Sequence, residues 1–385
     1  MNHNRRVCYV VGAFPRVPCG VGDYTQQLGL RLAGNDIDVH VLTAKRREII
    51  EAAGTYPSLH IHAVIPNWSL SSVGLLMENL RNIAPDIVHI QYPAQFGQAN
   101  RSPIANLLPA LSRLSARQAK VLTTLHEFKE RTLRWQLRAL TNVLTSDATI
   151  CVTRYDLQHL GQFVRPDRLH YIPIASSIPV EATTAESIVQ LRKGLTIDTD
   201  ELVLAYFGFI QDLKGFDTLL RAIHKVRARK VKVRLLILTK LFPPQTDYHR
   251  KMIHLIDDLG LSGVCLLGCE HYSRQDVSRY LSIADIAVLP FLEGASERRS
   301  SLITVLQHGL PTITTEGPNL APEFTHNHNL LLASPSCPNQ ISELIVRLHD
   351  HPELRVLLAK NAKDLSKAFS WKLIAEQTAD LYREL

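Results

Sequence analysis

Adjacent arginines and serines stand immediately before a short apolar helical pattern in residues 293–311, EGASERRSSLITVLQHGLP. Two guanidinium groups, Arg298 and Arg299, and the unpaired backbone N–H groups of Ser300 and Ser301 at a helix start would together attract an anion, above all a phosphate. The plainer reading is that Arg298 and Arg299 are solvated surface charges and Ser300 or Ser301 is an ordinary N-cap. Lys214, in a loop before another apolar helical pattern, can neutralise a phosphate as a point charge or simply be a solvated residue at a helix start. His126 follows an apolar run at 121–125, where it can donate a hydrogen bond to a substrate hydroxyl or carbonyl, or satisfy the loop backbone. In CGVGDYT, Gly20 and Gly22 either let the backbone approach a ligand closely or make a tight turn. GVGDYT lacks the third glycine of a dinucleotide fingerprint, and the next strand ends at Thr43-Ala44-Lys45 without a ribose-binding acid, which argues against NAD or FAD.

These residues need a scaffold that repeats strand, loop and helix. Apolar runs at 7–12, 37–43, 87–90, 121–125, 149–152 and 170–173 predict parallel strands in the first half, with helical spacing around Leu28 and Leu32 and over 75–83. The second half repeats the pattern with strands at 202–207, 235–238, 264–267, 285–290, 312–315 and 330–332. Helices are expected at 219–223, 253–259, 275–283 and 370–385. The fold class is therefore α/β, two Rossmann-like doubly wound sheets with a boundary near residue 179, and 385 residues with 45% apolar side chains can build both cores.

A net charge of +7 favours an acidic partner: a phosphorylated small molecule, an anionic membrane face or nucleic acid. The densest basic run, KVRARKVKVR at 225–234, has no interleaved aromatics and reads as a solvated face, so nucleic acid is not expected. RTLRWQLRALTNVL at 131–144 combines Arg131, Arg134 and Arg138 with Trp135, Leu137, Leu140 and Leu144. It is either a core-facing helix with a wet basic edge or a surface for peripheral membrane contact. The six cysteines are scattered, and Cys265 and Cys269 have no second ligand pair, so neither a disulfide framework nor a zinc site is expected and a reducing cytoplasm fits. His326-Asn327-His328, Asp36-Ile37-Asp38 and Asp198-Thr199-Asp200 read as turn and connection residues, and no metal site is expected. The first apolar run breaks at Gly12 and Pro15, suiting a strand better than a signal peptide, and no segment is long enough to span a bilayer.

CGVGDYTQQLGLRL, PDIVHIQYP, LTTLHE, YFGFIQDLKGFDTLLRAI, SIADIAVLPF, HGLPTITT and FSWKLIAEQTADLY, in this order over nearly the whole chain, resemble the retaining glycosyltransferases of family 4. The resemblance implies a GT-B architecture in which two Rossmann-like domains face each other across a donor-binding cleft. It divides the chain into an acceptor-side domain (1–178), a nucleotide-sugar domain (179–368) and a C-terminal helix (369–385) packed back on the first domain. It further implies that Gly20 and Gly22 approach the donor phosphates or the acceptor, that His126 contacts the transferring sugar and that Lys214 binds the diphosphate.

The departures from the family pattern concern the same sites. Phe209 stands where the family commonly has an arginine, removing half of the usual Arg/Lys clamp. Counting back from Gly309, the family's two spaced glutamates fall on Ser296 and Thr304, with Glu293 and Glu297 nearby but out of register. SERRSSL is similar to a branch with paired arginines before the helix, so Arg298 or Arg299, with Lys214 and the Ser300 and Ser301 N–H groups, is expected to replace the missing clamp. The activity so implied is retaining transfer from a nucleotide-sugar to an acceptor hydroxyl, with no cofactor and no catalytic metal, and with the departing diphosphate oxygen taking the acceptor proton. The acceptor is lipid-linked, a polysaccharide or a small soluble molecule. Two rivals stand beside this: an epimerase of nucleotide-sugars on the same scaffold, and a degenerate binding or scaffolding subunit.

Overall fold

The computed structural model describes residues 5–385 apart from 18, 36, 94–101, 103, 129–131 and 270–271, so Asp36 and Arg131 lie outside the described residues. The chain forms two compact units, Met1–Ala175 with Ser370–Leu385, and Ser176–Phe369.

The first unit is built on β1 (Arg6–Val10), β2 (Asp38–Ala44), β3 (His60–Ile65), β4 (Ile87–Tyr92), β5 (Lys120–Leu125), β6 (Ala148–Cys151) and β7 (Leu169–Tyr171). They form one parallel sheet in the order β3-β2-β1-β4-β5-β6-β7. β1 and β4 lie centrally with helices over both faces, which is why VCYV and IVHIQY are buried throughout. Edge strand β3 buries only Ile65 fully, and its sequence HIHAVI carries two histidines on one face, so its apolar signal is too weak to mark it as a strand. The terminal helix Trp371–Glu384 contributes Trp371, Ile374 and Tyr382 to this unit's core. The Trp371 ring packs on Tyr24, and the Arg31 guanidinium lies over it at 5.1 Å.

The second unit contains β8 (Leu202–Phe207), β9 (Val233–Leu238), β10 (Cys265–Leu267), β11 (Ile286–Leu289), β12 (Thr312–Thr315) and β13 (Leu331–Ala333), also all parallel, in the order β10-β9-β8-β11-β12-β13. In each unit the chain winds outward from a central strand and then returns to lay strands on its other side. The reversal falls between β1 and β4 in one sheet and between β8 and β11 in the other. Such switch points leave a crevice at the carboxyl ends of the strands, where doubly wound sheets bind ligands.

Helix Leu133–Thr145 divides the apolar residues of its sequence pattern between core and surface. It buries Ala139, Asn142 and Val143, with Trp135 and Leu140 partly covered, while Leu133, Leu137 and Leu144 are exposed beside Arg134 and Arg138. The physical reason is close packing: small Ala139 faces the core, and the buried Asn142 amide donates to the Ala105 carbonyl at 3.0 Å. The basic run at 225–234 is spent locally, with Lys232 on Asp200 and Arg234 on Glu201 and the Gly263 carbonyl. His326 Nδ1 accepts the Leu332 N–H, which makes it a turn residue.

Candidate functional site

At the switch point of the first sheet, the loop after β1 leads into helix Gly20–Ala33, and His126 follows β5. Gly22 is required by the protein's own packing, since a Cβ there would stand 2.8 Å from the Ala13 carbonyl oxygen, whereas the space beside Gly20 is open. One turn on, Tyr24 sets its ring edge against His126 at 5.0 Å, so the start of this helix and His126 belong to one site.

His126 is buried, its backbone N–H is held by the Tyr92 carbonyl, and burial lowers its pKa to about 3. It is a neutral imidazole with one ring proton. Nε2 lies 2.9 Å from Gln91 Oε1, an atom that only accepts, so Nε2 carries the proton and Nδ1 is left as an acceptor. This corrects the expectation that the ring donates to substrate: its N–H is already engaged, and the available lone pair can accept from a sugar hydroxyl. The Gln91 amide in turn donates to His89 Nε2 at 3.2 Å, beside Thr124 Oγ1 at 2.7 Å. His89, also held near 3 by burial, then places its own proton on Nδ1 and donates to the Tyr382 hydroxyl at 2.6 Å, which meets Tyr9 Oη at 2.9 Å. A hydrogen-bonded chain thus runs from the terminal helix to His126 and fixes its tautomer. His89 and Gln91 are two apart on β4 and share a face, a visible signal; Tyr382, 293 positions from His89, offers none.

The second switch point gathers the charged candidates. The β8 loop holds Gly208, exposed Phe209 and Lys214, and the β11 loop holds Phe291, Glu293, Arg298 and Arg299. A Cβ on Gly215, whose φ is +66°, would collide with the Pro290 carbonyl, so this glycine lets the two loops touch. The Lys214 ammonium sits 5.3 Å and the Arg299 guanidinium 5.0 Å from the centre of the Phe291 ring. Arg299 is 7% exposed and pairs with the Glu293 carboxylate at 2.7 Å, and Arg298 reaches the same oxygen at 3.3 Å. The arginines are therefore neither solvated surface charges nor bare cations; they brace the loop through Glu293. The Arg299 Nε is buried without a hydrogen-bond partner.

Helix Ser300–Gln307 starts one residue earlier than a serine cap would require: Arg299 is its N-cap and no side chain caps it. Ser300 is exposed in the first turn, where N–H groups have no intrahelical carbonyl, and the Ser301 side chain lies 3.5 Å from the position of a Cβ on Gly208. The structure thus brings Lys214 and Arg299 together on Phe291 and sets Ser301 beside Gly208, with Arg298 joined through Glu293. Thr304 is turned away from this loop mouth; its hydroxyl is buried between Ser176 Oγ at 2.7 Å and the Ser300 carbonyl at 2.8 Å. Glu293 and Phe291, both essential to the arrangement, were not assigned these roles from the sequence because the loop's closure brings them to the cations.

Two family models match the chain. The description "Glycosyltransferase Family 4" covers residues 18–175, and "Glycosyl transferases group 1" covers residues 201–351. A D-inositol 3-phosphate glycosyltransferase of Saccharomonospora viridis is 25% identical over 218 residues, covering 55% of this chain and 49% of that protein. An uncharacterized glycosyltransferase of Methanocaldococcus jannaschii is 28% identical over 141 residues, 36% of this chain and 38% of its own. The matched stretch thus spans half or less of these curated relatives. Among solved structures, a glycosyltransferase from Rickettsia africae superposes with a TM-score of 0.79 at 16% identity over 99% of this chain and 98% of its own. Anabaena HepE, solved with UDP and glucose, gives 0.78 at 16% identity over 99% and 100%.

Proposed function

The chain belongs to the family 4 glycosyltransferases, and from that premise we propose that it moves a sugar from a nucleoside-diphosphate sugar to an acceptor hydroxyl, with retention and without a catalytic metal. The observation that carries this reading is the meeting of Lys214 and Arg299 on the Phe291 ring beside the first turn of helix Ser300–Gln307. Positive charge and outward N–H groups at that place favour a diphosphate as it departs, the main electrostatic need of the reaction. The bond from the sugar carbon to the diphosphate oxygen breaks, the bond to the acceptor oxygen forms on the same face, and the diphosphate oxygen takes the acceptor proton. His126, neutral and with Nδ1 as acceptor, orients a sugar hydroxyl and takes no part as an acid. The same neutrality disfavours an epimerase, which needs an acid/base pair at neutral pH.

HepE was solved with UDP and with UDP-glucose, so UDP-glucose is the first donor to test. Among acceptors, a lipid-linked one is supported by the exposed Leu133, Leu137 and Leu144 beside Arg134 and Arg138, which suit a peripheral contact with an anionic membrane. Among the described residues no helix is long and apolar enough to cross a membrane. A thermal-shift screen of nucleotide-sugars tests the reading: a donor that raises the melting temperature in the wild type and loses about tenfold in affinity in Lys214→Ala supports it. Hydrolysis or transfer of that donor by chelator-treated protein, unchanged on adding Mg²⁺ or Mn²⁺, supports metal independence. A chain that binds no nucleotide-sugar and turns none over is a scaffold.

A further inference from the structure

At the end of the first sheet opposite the loop that carries His126, the amino ends of β2 and β3 carry a cluster that the proposed reaction does not use. Asp38 and His40 alternate onto one face of β2, His60 and His62 onto the same face of β3, and His40 pairs with His60 across the strands. Asp38 Oδ1 lies 3.2 Å from His40 Nε2 and 3.4 Å from His60 Nε2, and the three ligand atoms all fall within 4.8 Å of one another. A tetrahedral ion with ligands at about 2.0–2.1 Å needs ligand atoms roughly 3.3 Å apart. The neighbours are those of an ordered metal site. Asp38 Oδ2 accepts from Arg6 Nε at 2.7 Å, which leaves Oδ1 facing the imidazoles, and His40 Nδ1 is 2.9 Å from His62 Nε2. A proton on His40 Nδ1 directed to His62 keeps the Nε2 lone pair on the metal side, the usual arrangement behind a ligating histidine. The rings of His40 and His60 stack at 4.7 Å, and those of His40 and His62 at 5.1 Å and 5°. His60 is 61% exposed, which opens the site to solvent.

We propose that Asp38, His40 and His60 bind one divalent transition-metal ion of the zinc class, with His62 and Arg6 orienting two of the ligands and water completing the tetrahedron. Imidazole with one carboxylate at tetrahedral spacing suits zinc, whereas magnesium and calcium prefer all-oxygen octahedra or larger shells. The ion clasps the exposed edge strand β3 to β2. His126 stands after the carboxyl end of β5, at the opposite edge of the sheet, so the ion takes no part in sugar transfer. The set is drawn from two strands about twenty residues apart, which hides it from any search for short ligand spacing.

The test is calorimetric titration of ZnCl₂ into tag-free protein stripped with chelator and dialysed, with melting temperature as a second readout. The expected result is one tight site per chain and a rise in melting temperature with Zn²⁺. His60→Ala and Asp38→Asn should weaken that site at least tenfold and abolish the rise, while His254→Ala, on an exposed helix position, leaves both unchanged. Because His60 is exposed, its replacement leaves the fold intact, as circular dichroism will register. Absence of a tight site, or wild-type affinity in both His60→Ala and Asp38→Asn, overturns the proposal.

Discussion

The two polar centres bury their hydrophilic groups by opposite means. In the chain from His126 to Tyr9 the described groups are neutral, and all but the open His126 Nδ1 lone pair meet a complementary neighbour. Around Arg299 the groups are ions, held by one carboxylate and one aromatic face. A neutral network offers fixed dipoles and a defined lone pair, which suits orienting hydroxyls. An ionic one built around guanidinium groups offers a field, which suits a polyanion. Under the proposed function the first centre would position a sugar and the second would receive a diphosphate.

Acid should break the neutral centre first. His89 and His126 have folded-state values near 3, below the ~6.5 of an unfolded histidine. Between those values the unfolded chain binds protons that the folded chain does not, so their contribution is complete above pH ~6.5 and is lost as pH falls toward 3. Urea unfolding should show stability declining by up to ~1.4 kcal/mol per pH unit for each histidine, with a shallower slope in His126→Gln. The ionic centre should instead fail by loss of its carboxylate: Glu293→Ala leaves two largely buried guanidinium groups without their shared partner and should cost about 3 kcal/mol in urea denaturation. Glu293 is itself 32% exposed, so water entering the loop keeps this below the upper end for a buried pair.

Turnover separates the two centres more finely. His126→Ala should lower kcat by about 10²-fold while donor affinity changes little, measured by steady-state kinetics and equilibrium binding of the nucleotide-sugar. Equal losses in both would remove the distinction between a positioning centre and an anion centre. The smallest effect is expected at the far end of the chain of hydrogen bonds. Tyr382→Phe removes the acceptor of His89 Nδ1–H and should cost about 1 kcal/mol of stability, with a few-fold fall in kcat as the His126 tautomer loosens.

Much of the scaffold was legible because central parallel strands are continuous apolar runs: β8 and β12 lie where the sequence places them, and most other strands differ by one to three residues at their ends. What escaped was written in weaker patterns. β3 is interrupted by histidines, and helices Pro338–Asp350 and Pro352–Ser366 were not anticipated. The sequence leaves helix Leu133–Thr145 open between core and surface; the structure covers Trp135 and Leu140 in part and exposes Leu137 and Leu144, because the fully buried positions go to Ala139, Asn142 and Val143. In the sites, residue types at loop mouths identified Lys214, Arg298, Arg299 and His126. Their partners were hidden, since Glu293 meets the arginines only when the loop folds over Phe291, and Tyr382 meets His89 only when the last helix is in place.

That last helix gives the chain an unusual order of events during synthesis. Residues 176–369 are, in connectivity, an insertion into the first unit, whose final segment is residues 370–385. When the first 175 residues leave the ribosome they lack Trp371, Ile374 and Tyr382, so Tyr24 has an uncovered ring and His89 an unanswered proton. The chain of hydrogen bonds behind His126 is therefore completed only after the second unit has been made. A nascent chain arrested before Ser370 would hold a complete second sheet beside an unfinished first one.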